Sequence, residues 1–245
     1  MSVSTASSTA AAAPLPAGLG TGRPVRRRLI AHHLPLAVAS TLGLLVLIAL
    51  SPSHGGFTVR QLAAPTGDVA LVLLGLTLLV GPANLLLQRQ NPVNSYLRRD
   101  IGTWTAIFSL VHVIIGFQGH SDRVFGFVDY FVADGRPRFD SFGLGNWTGL
   151  AATVVVVVLL AISTDRSLRQ LKARGWKRLQ RLNYALFALV VIHAIYYGAL
   201  RRTGSAFTYV LLGTVNAVLI SQWVGISLWR RRHPRSGAVP AALSS

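Results

Sequence analysis

Two histidines, His112 and His193, each stand deep inside an apolar segment of membrane-spanning length. Each also follows a charged residue by 12 positions, Asp100 for the first and Arg181 for the second. At ~1.5 Å rise per residue, both imidazoles lie about 18 Å from the same face of a ~30 Å hydrocarbon core. An ionisable group at that depth is costly and by default marks a functional site. Two imidazoles at equal depth on neighbouring helices can clamp one flat, metal-bearing ring, and haem is the obvious candidate. The other arrangement open to these residues is a pair of unrelated neutral histidines, each bonded to a backbone carbonyl.

Other chemistries are poorly supplied. Zinc normally takes three or four protein ligands, and no carboxylate lies near either histidine within its span. His120, eight residues after His112, falls at the outer helix end and reads as an interfacial residue rather than a third ligand. His32 and His33 precede the first apolar segment, His54 lies in a Gly-rich turn and His233 in a basic tail, so all four read as solvated. Cysteine is absent, which removes disulfides and thiolate metal sites. No serine–histidine pairing, phosphate-cradling glycine loop or dinucleotide fingerprint occurs, so hydrolase and nicotinamide chemistry have no support.

The elements that must position the two histidines are membrane helices. The chain is 51% hydrophobic and 13% charged, against about 25% charged in soluble domains. Its apolar segments are Leu34–Leu50, Val69–Leu87, Ile101–Phe117, Trp147–Ser163, Leu182–Leu200 and Ala206–Trp229, each long enough to cross a bilayer as a helix. None alternates as a barrel strand would. The expected fold is therefore all-α, a polytopic bundle of six transmembrane helices. Gly81-Pro82 falls inside the second segment, where proline is expected to kink the helix. Around His112, Ser109, Gly116 and Gly119 line one helix face with small side chains. These allow close helix packing and also leave space for a flat ring. Tyr196 and Tyr197, one turn beyond His193, read as ordinary interfacial tyrosines.

Charge orients the bundle. The formal net charge is +17, and with a cytoplasmic N-terminus 18 of the 24 cations fall on the inner side. The outer six are Arg60, Arg123, Arg136, Arg138, Arg201 and Arg202, and five of the seven Asp are outside as well. This is the positive-inside pattern, with both termini cytoplasmic and the arginine clusters facing anionic lipid headgroups rather than nucleic acid. The longest outer loop, His120–Gly145, interleaves aromatics with four Asp and reads as an interfacial lid, or less simply as a partner-docking surface. The inner stretch Asp165–Arg181 reads as a basic, lipid-bound helical elbow, with an anionic flavin or a partner as the alternative occupant. Residues 1–28 read as a disordered cytoplasmic tail, 29–230 as the six-helix domain and 231–245 as a second, basic tail.

The run RRDIGTWTAIFSLVH, ending at His112, resembles the third helix of the ferric reductase-like transmembrane domain. Within that superfamily it is similar to the haem-binding membrane subunits of methionine sulfoxide reductase systems. STDRSLRQLKARGWKRLQRLNYALFALVVIHAIYY resembles the family's elbow and fifth helix, and the likeness extends in outline over Thr66–Trp229. The resemblance implies that His112 and His193 are the outer haem ligands. The chain departs from the family at the inner site. Leu179-Gln180 stands where the family has Leu-His, Asn183 follows, and Arg98 and Arg99 occupy the position of a further ligand in two-haem members. Glutamine and asparagine are poor haem ligands, so one b-type haem per chain, near the outer face, is expected.

Two axial imidazoles leave no open position on iron, which favours electron transfer over oxygen activation. The expected function is that of an oxidoreductase component that passes electrons across or within the bacterial cytoplasmic membrane. Its donor would be a separate protein, a bound flavin or a quinol, and its acceptor would lie at the outer face. Arg201 and Arg202, just beyond His193, are candidate partners for haem propionates. A haem-free scaffold subunit or small transporter with the same six helices is the competing class.

Overall fold

The computed structural model describes residues 28–51, 58–87, 96–120, 126–201 and 204–233. Six helices are long and apolar enough to span a membrane: Leu29–Ala49, Ala63–Leu86, Tyr96–Gln118, Ser141–Ala161, Arg178–Tyr196 and Ala206–Arg232. The all-α, six-span architecture is as the sequence predicts, and the chain is a multi-pass membrane protein. In chain order we name α1 (Leu34–Ala49), α2 (Ala63–Leu86), α3 (Tyr96–His120), α4 (Ser141–Ala161), α5 (Asp165–Leu179), α6 (Leu182–Tyr196) and α7 (Ala206–Arg232). The amphipathic α5 is the expected basic elbow. The last helix runs to Arg232, two residues past the expected domain boundary. The tails 1–27 and 234–245 lie outside the described residues.

The central helix is α2. Half of its apolar window is buried, against 6–22% for the other spans. Leu71, Leu74 and Leu78 meet α3, α4, α6 and α7 in one core, while Val69, Ala70 and Leu73 pack with Ile101 and Phe108 in another. The outer faces of the remaining helices stay apolar and exposed, as at Leu42, Ile114, Val154, Leu219 and Trp223. A ring of this kind with no internal partner is a lipid-facing surface.

Backbone groups freed by proline find partners, as a bilayer demands. α2 continues as one helix through Pro82. Lacking an N–H, Pro82 cannot bond the carbonyl of Leu78, and Gln222 Nε2 on α7 donates to that oxygen instead, at 3.0 Å. Gly225 lets α7 lie against the Pro82 ring, since a Cβ there would sit 3.3 Å from it. Ahead of α1, Leu29–His33 forms a π turn. It lies just before Pro35, which cannot donate to the carbonyl four residues back, and the N–H of Leu34 reaches Leu29 O.

That π turn changes the reading of two histidines. His32 and His33 are half-buried and both face one carboxylate. Asp100 on α3 is fully buried; a buried carboxylate needs partners, and they come from the segment leading into α1. Arg28 Nε donates to both carboxylate oxygens at 3.1 and 3.2 Å, and its Nη2 also pairs with Oδ1. His32 Nδ1 lies 2.7 Å from Oδ2 and His33 Nε2 3.4 Å from Oδ1, while Trp104 Nε1 donates to His33 Nδ1 at 3.2 Å. His233 is exposed and stacks on Trp229, in keeping with its solvated reading. His54 lies outside the described residues.

At the outer end, the 3-10 turn Gly126–Tyr130 and a two-residue hairpin, Val132–Ala133 with Arg136–Pro137, form the described part of the long loop. The hairpin turns at Asp134 and Gly135, both with positive φ (52° and 72°), which suits an Asp-Gly pair. Tyr130 Oη donates to the carbonyls of Gly116 and Phe117 at 2.9 and 3.1 Å, seating the loop on the end of α3. Asp140 caps α4 by accepting from Gly143 N at 2.8 Å. The hydrogen bonds from Arg138 and from that N–H hold the Asp140 carboxyl below the ordinary carboxylate range.

Candidate functional site

The bundle brings His112 and His193 together. Their ring centroids are 6.0 Å apart and their planes are nearly perpendicular, at 88°. Equal depth in the sequence thus becomes proximity in space, because α3 and α6 run in the same direction through the bundle.

Each ring is fixed by the antiparallel helix beside it. His112 Nδ1 lies 2.7 Å from Ala63 O at the start of α2, and His193 Nδ1 lies 2.8 Å from Gly145 O in the first turns of α4. A carbonyl can only accept, so Nδ1 carries the proton in both rings and Nε2 keeps its lone pair. Neither Nε2 has a hydrogen-bond partner among the described residues. Both partners stand on neighbouring helices rather than on the histidine's own. A carbonyl one turn back along α3 or α6 is already taken by the helix itself.

One turn past each accepting carbonyl stands a glycine. A Cβ on Gly67 would fall 3.0 Å from His112 Nδ1 and Cε1, and one on Gly149 would fall 2.9 Å from His193 Nδ1. The two rings therefore occupy space that any other residue would fill. Ala63-x-x-x-Gly67 and Gly145-x-x-x-Gly149 are small-xxx-small pairs, the usual mark of close helix approach in membranes. That signal was present in the sequence and would have pointed to both.

Behind His193 lies a polar chain the sequence reading also missed. Tyr197 packs its ring on His193, with centroids 4.8 Å apart, and its Oη donates to Asn146 Oδ1 at 2.6 Å. Asn146 Nδ2 in turn donates to Tyr130 O at 3.1 Å. Tyr197 is therefore no ordinary interfacial tyrosine. It links the histidine, the first turns of α4 and the outer loop.

The remaining candidates separate. Arg201 is exposed on the turn after α6, its N–H bonded to Gly198 O at 3.0 Å, at the same end of the bundle as the pair. Arg202 lies outside the described residues. His120 is the last residue of α3, two turns beyond His112. Asp68, counted with the outer loops from sequence, is buried within α2 beside Gly67, and its Oδ1 has no partner among the described residues. Among the described residues, no cluster of three or more His, Cys, Asp or Glu could hold a metal by itself.

At the inner end the positions that depart from the family meet as well. Arg98, Arg99, Gln180 and Asn183 line one cavity together with Trp176, Gly102 and Leu159.

Comparison with known proteins agrees with this architecture. The family model for the ferric reductase like transmembrane component matches residues 66–191, which include His112 and end two residues before His193. The chain is 26% identical over 199 residues to the protein-methionine-sulfoxide reductase heme-binding subunit MsrQ of Herminiimonas arsenicoxydans, covering 80% of this chain and 85% of that protein. It is 28% identical over 179 residues to the MsrQ of Deinococcus radiodurans, covering 73% and 79%. The magnetosome protein MamZ of Magnetospirillum gryphiswaldense is 32% identical over 82 residues, 34% of this chain and 12% of that protein. No solved structure matches the chain. With six spans in place and the family model covering half its length, this chain belongs to the ferric reductase-like transmembrane component family.

Proposed function

We propose that this protein is a b-type haem subunit that transfers electrons across or within the bacterial cytoplasmic membrane, with one haem held between His112 and His193 near the outer face. The observation that carries the reading is the histidine pair itself. Two imidazoles from different spans meet at 6.0 Å, each with Nδ1–H committed to a backbone carbonyl and Nε2 left to ligate. That spacing leaves room for one metal ion at bonds of about 2 Å. A carbonyl bond at Nδ1 would also suit two unrelated histidines. It does not explain why two such rings face each other across a lipid-embedded bundle, each in a niche cleared by a glycine.

When bound between His112 and His193, haem would supply a one-electron couple. The chain does the rest. Ala63 O and Gly145 O set the tautomer and raise the basicity of the ligating nitrogens, and the apolar helices exclude water. Arg201, with Arg202 beside it, offers positive charge for the propionates. Three relatives named as haem-binding subunits of a methionine sulfoxide reductase support the same role here. The acceptor is then a separate protein or oxidant at the outer face, and the donor a flavin, a quinol or a partner protein at the inner face.

A pyridine haemochrome assay on the purified chain is expected to give one haem b per polypeptide. A value near zero would sink the haem reading in favour of a scaffold or transporter, and a value near two would sink the single-haem reading based on Gln180. The proposed topology places both termini and the α5 elbow in the cytoplasm. An export-dependent reporter is therefore expected to be inactive when fused at Gly175 and active at Gly135, and the reverse pattern would overturn the orientation.

A further inference from the structure

We infer that Tyr197 is a positioning residue for His193: anchored through Asn146, its ring holds the imidazole at right angles to that of His112 in the haem-loaded protein. The inference rests on the haem reading above and concerns how one ligand is oriented.

The two histidines are held unequally. Each Nδ1 is bonded to a backbone carbonyl and each ring lies against a glycine. A single hydrogen bond fixes where Nδ1 points but leaves the ring free to turn about the N–H···O line. His193 has a further constraint. Tyr197 stands at i+4 on the same helix, where side chains of one face meet, and packs its ring on the imidazole with centroids 4.8 Å apart and planes at 41°. Among the described residues, His112 meets no aromatic ring other than His193 itself.

Tyr197 is itself fixed. Its Oη donates to Asn146 Oδ1 at 2.6 Å, and the buried Asn146 donates from Nδ2 to Tyr130 O at 3.1 Å. Tyr130 Oη donates in turn to Gly116 O and Phe117 O on α3. The chain thus leaves α6, crosses α4 and the outer loop, and closes on the helix that carries His112. Phe142 backs the Tyr197 ring at 5.9 Å. Gly145 serves both side chains: its carbonyl accepts from His193, and a Cβ there would fall 2.8 and 2.9 Å from Tyr197 Cε2 and Cδ2. A buried polar network whose members all find partners specifies one arrangement. Here that arrangement includes the 88° between the imidazole planes.

The angle has a measurable consequence. Axial ligation is one of the protein's means of setting the electronic state of haem iron. Perpendicular imidazoles overlap equally with the two iron orbitals of π symmetry, and ferric low-spin haem then shows one low-field EPR line at unusually large g. As the planes turn toward parallel the orbitals split, and the spectrum becomes an ordinary rhombic set of three lines.

The test is low-temperature EPR of the oxidised full-length protein in detergent, with haem per chain quantified in each sample. The large-g line is expected in the unaltered protein. Tyr197→Leu should move it to smaller g and broaden it while haem content is retained. Tyr197→Phe, which keeps the ring and loses the anchor, should give a smaller shift in the same direction, and Asn146→Leu should match it. The double variant should shift no further than either single one, because both remove the same hydrogen bond. Tyr196→Phe is the control, since the Tyr196 ring makes no contact with His193 among the described residues, and should leave the line in place. An unmoved line in Tyr197→Leu would overturn the assignment, as would a rhombic spectrum in the unaltered protein or additive shifts in the double variant. If Tyr197→Leu loses its haem, the Tyr197→Phe and Asn146→Leu spectra decide, and an unmoved line in both overturns it. An unaltered protein without haem would sink the haem reading and this inference together, whereas normal haem with the same spectrum in every variant sinks this one alone.

Discussion

Purified His112→Ala and His193→Ala variants are expected to lose their haem. Each imidazole would hold the haem from one side, and its removal would leave the other ring facing a polar hollow among apolar helices. The loss should exceed the ~10–100-fold that removing an orienting partner costs a metal site, so haem content after purification should fall to near background. Both variants should still insert, because neither ring contributes to the α2-centred core of Leu71, Leu74 and Leu78. His120→Ala, at the end of α3, is expected to leave the spectrum unchanged. The decisive measurement is the reduced-minus-oxidised spectrum with haem quantified per chain. A six-coordinate low-spin spectrum at normal haem content in both alanine variants would remove the pair as ligands.

Nearly as large an effect is expected where no ligand is touched. Gly67→Leu and Gly149→Leu place side-chain atoms where the rings of His112 and His193 already lie, since the first added carbon would come within 3.0 and 2.9 Å of them. Neither ring can retreat without giving up its hydrogen bond to Ala63 O or Gly145 O, because carbonyl and glycine sit one turn apart on the same helix. Haem retention should therefore drop by ~10–100-fold, with alanine at the same positions causing a smaller fall. Gly43→Ala and Gly213→Ala are the controls, as a Cβ at either meets nothing within 4 Å. Haem loading measured side by side on the four positions separates the two readings. If leucine at Gly67 or Gly149 behaves as the controls do, the rings are not held in these niches.

What the amino-acid sequence determined by itself is whatever is written along one segment. Apolar length gave six spans, and counting from Asp100 and Arg181 put His112 and His193 at one depth. These properties depend on a residue and its own helix, so periodicity and charge carry them.

Which groups complete the site was decided by pairing between helices, and no single segment encodes that. That Ala63 O and Gly145 O are the partners follows from α2 lying beside α3 and α4 beside α6; within its own helix an earlier carbonyl is already bonded. Tyr197 and Asn146 meet because α4 lies beside α6, and the loop joins them through the Tyr130 carbonyl. His32 and His33 look solvated in a row of letters, yet the π turn before Pro35 carries them to Asp100, a carboxylate too deeply buried to remain alone. The small-xxx-small pairs at Gly67 and Gly149 stand between these cases. Their spacing is local and readable, but only the packed bundle reveals that what each glycine makes room for is an imidazole.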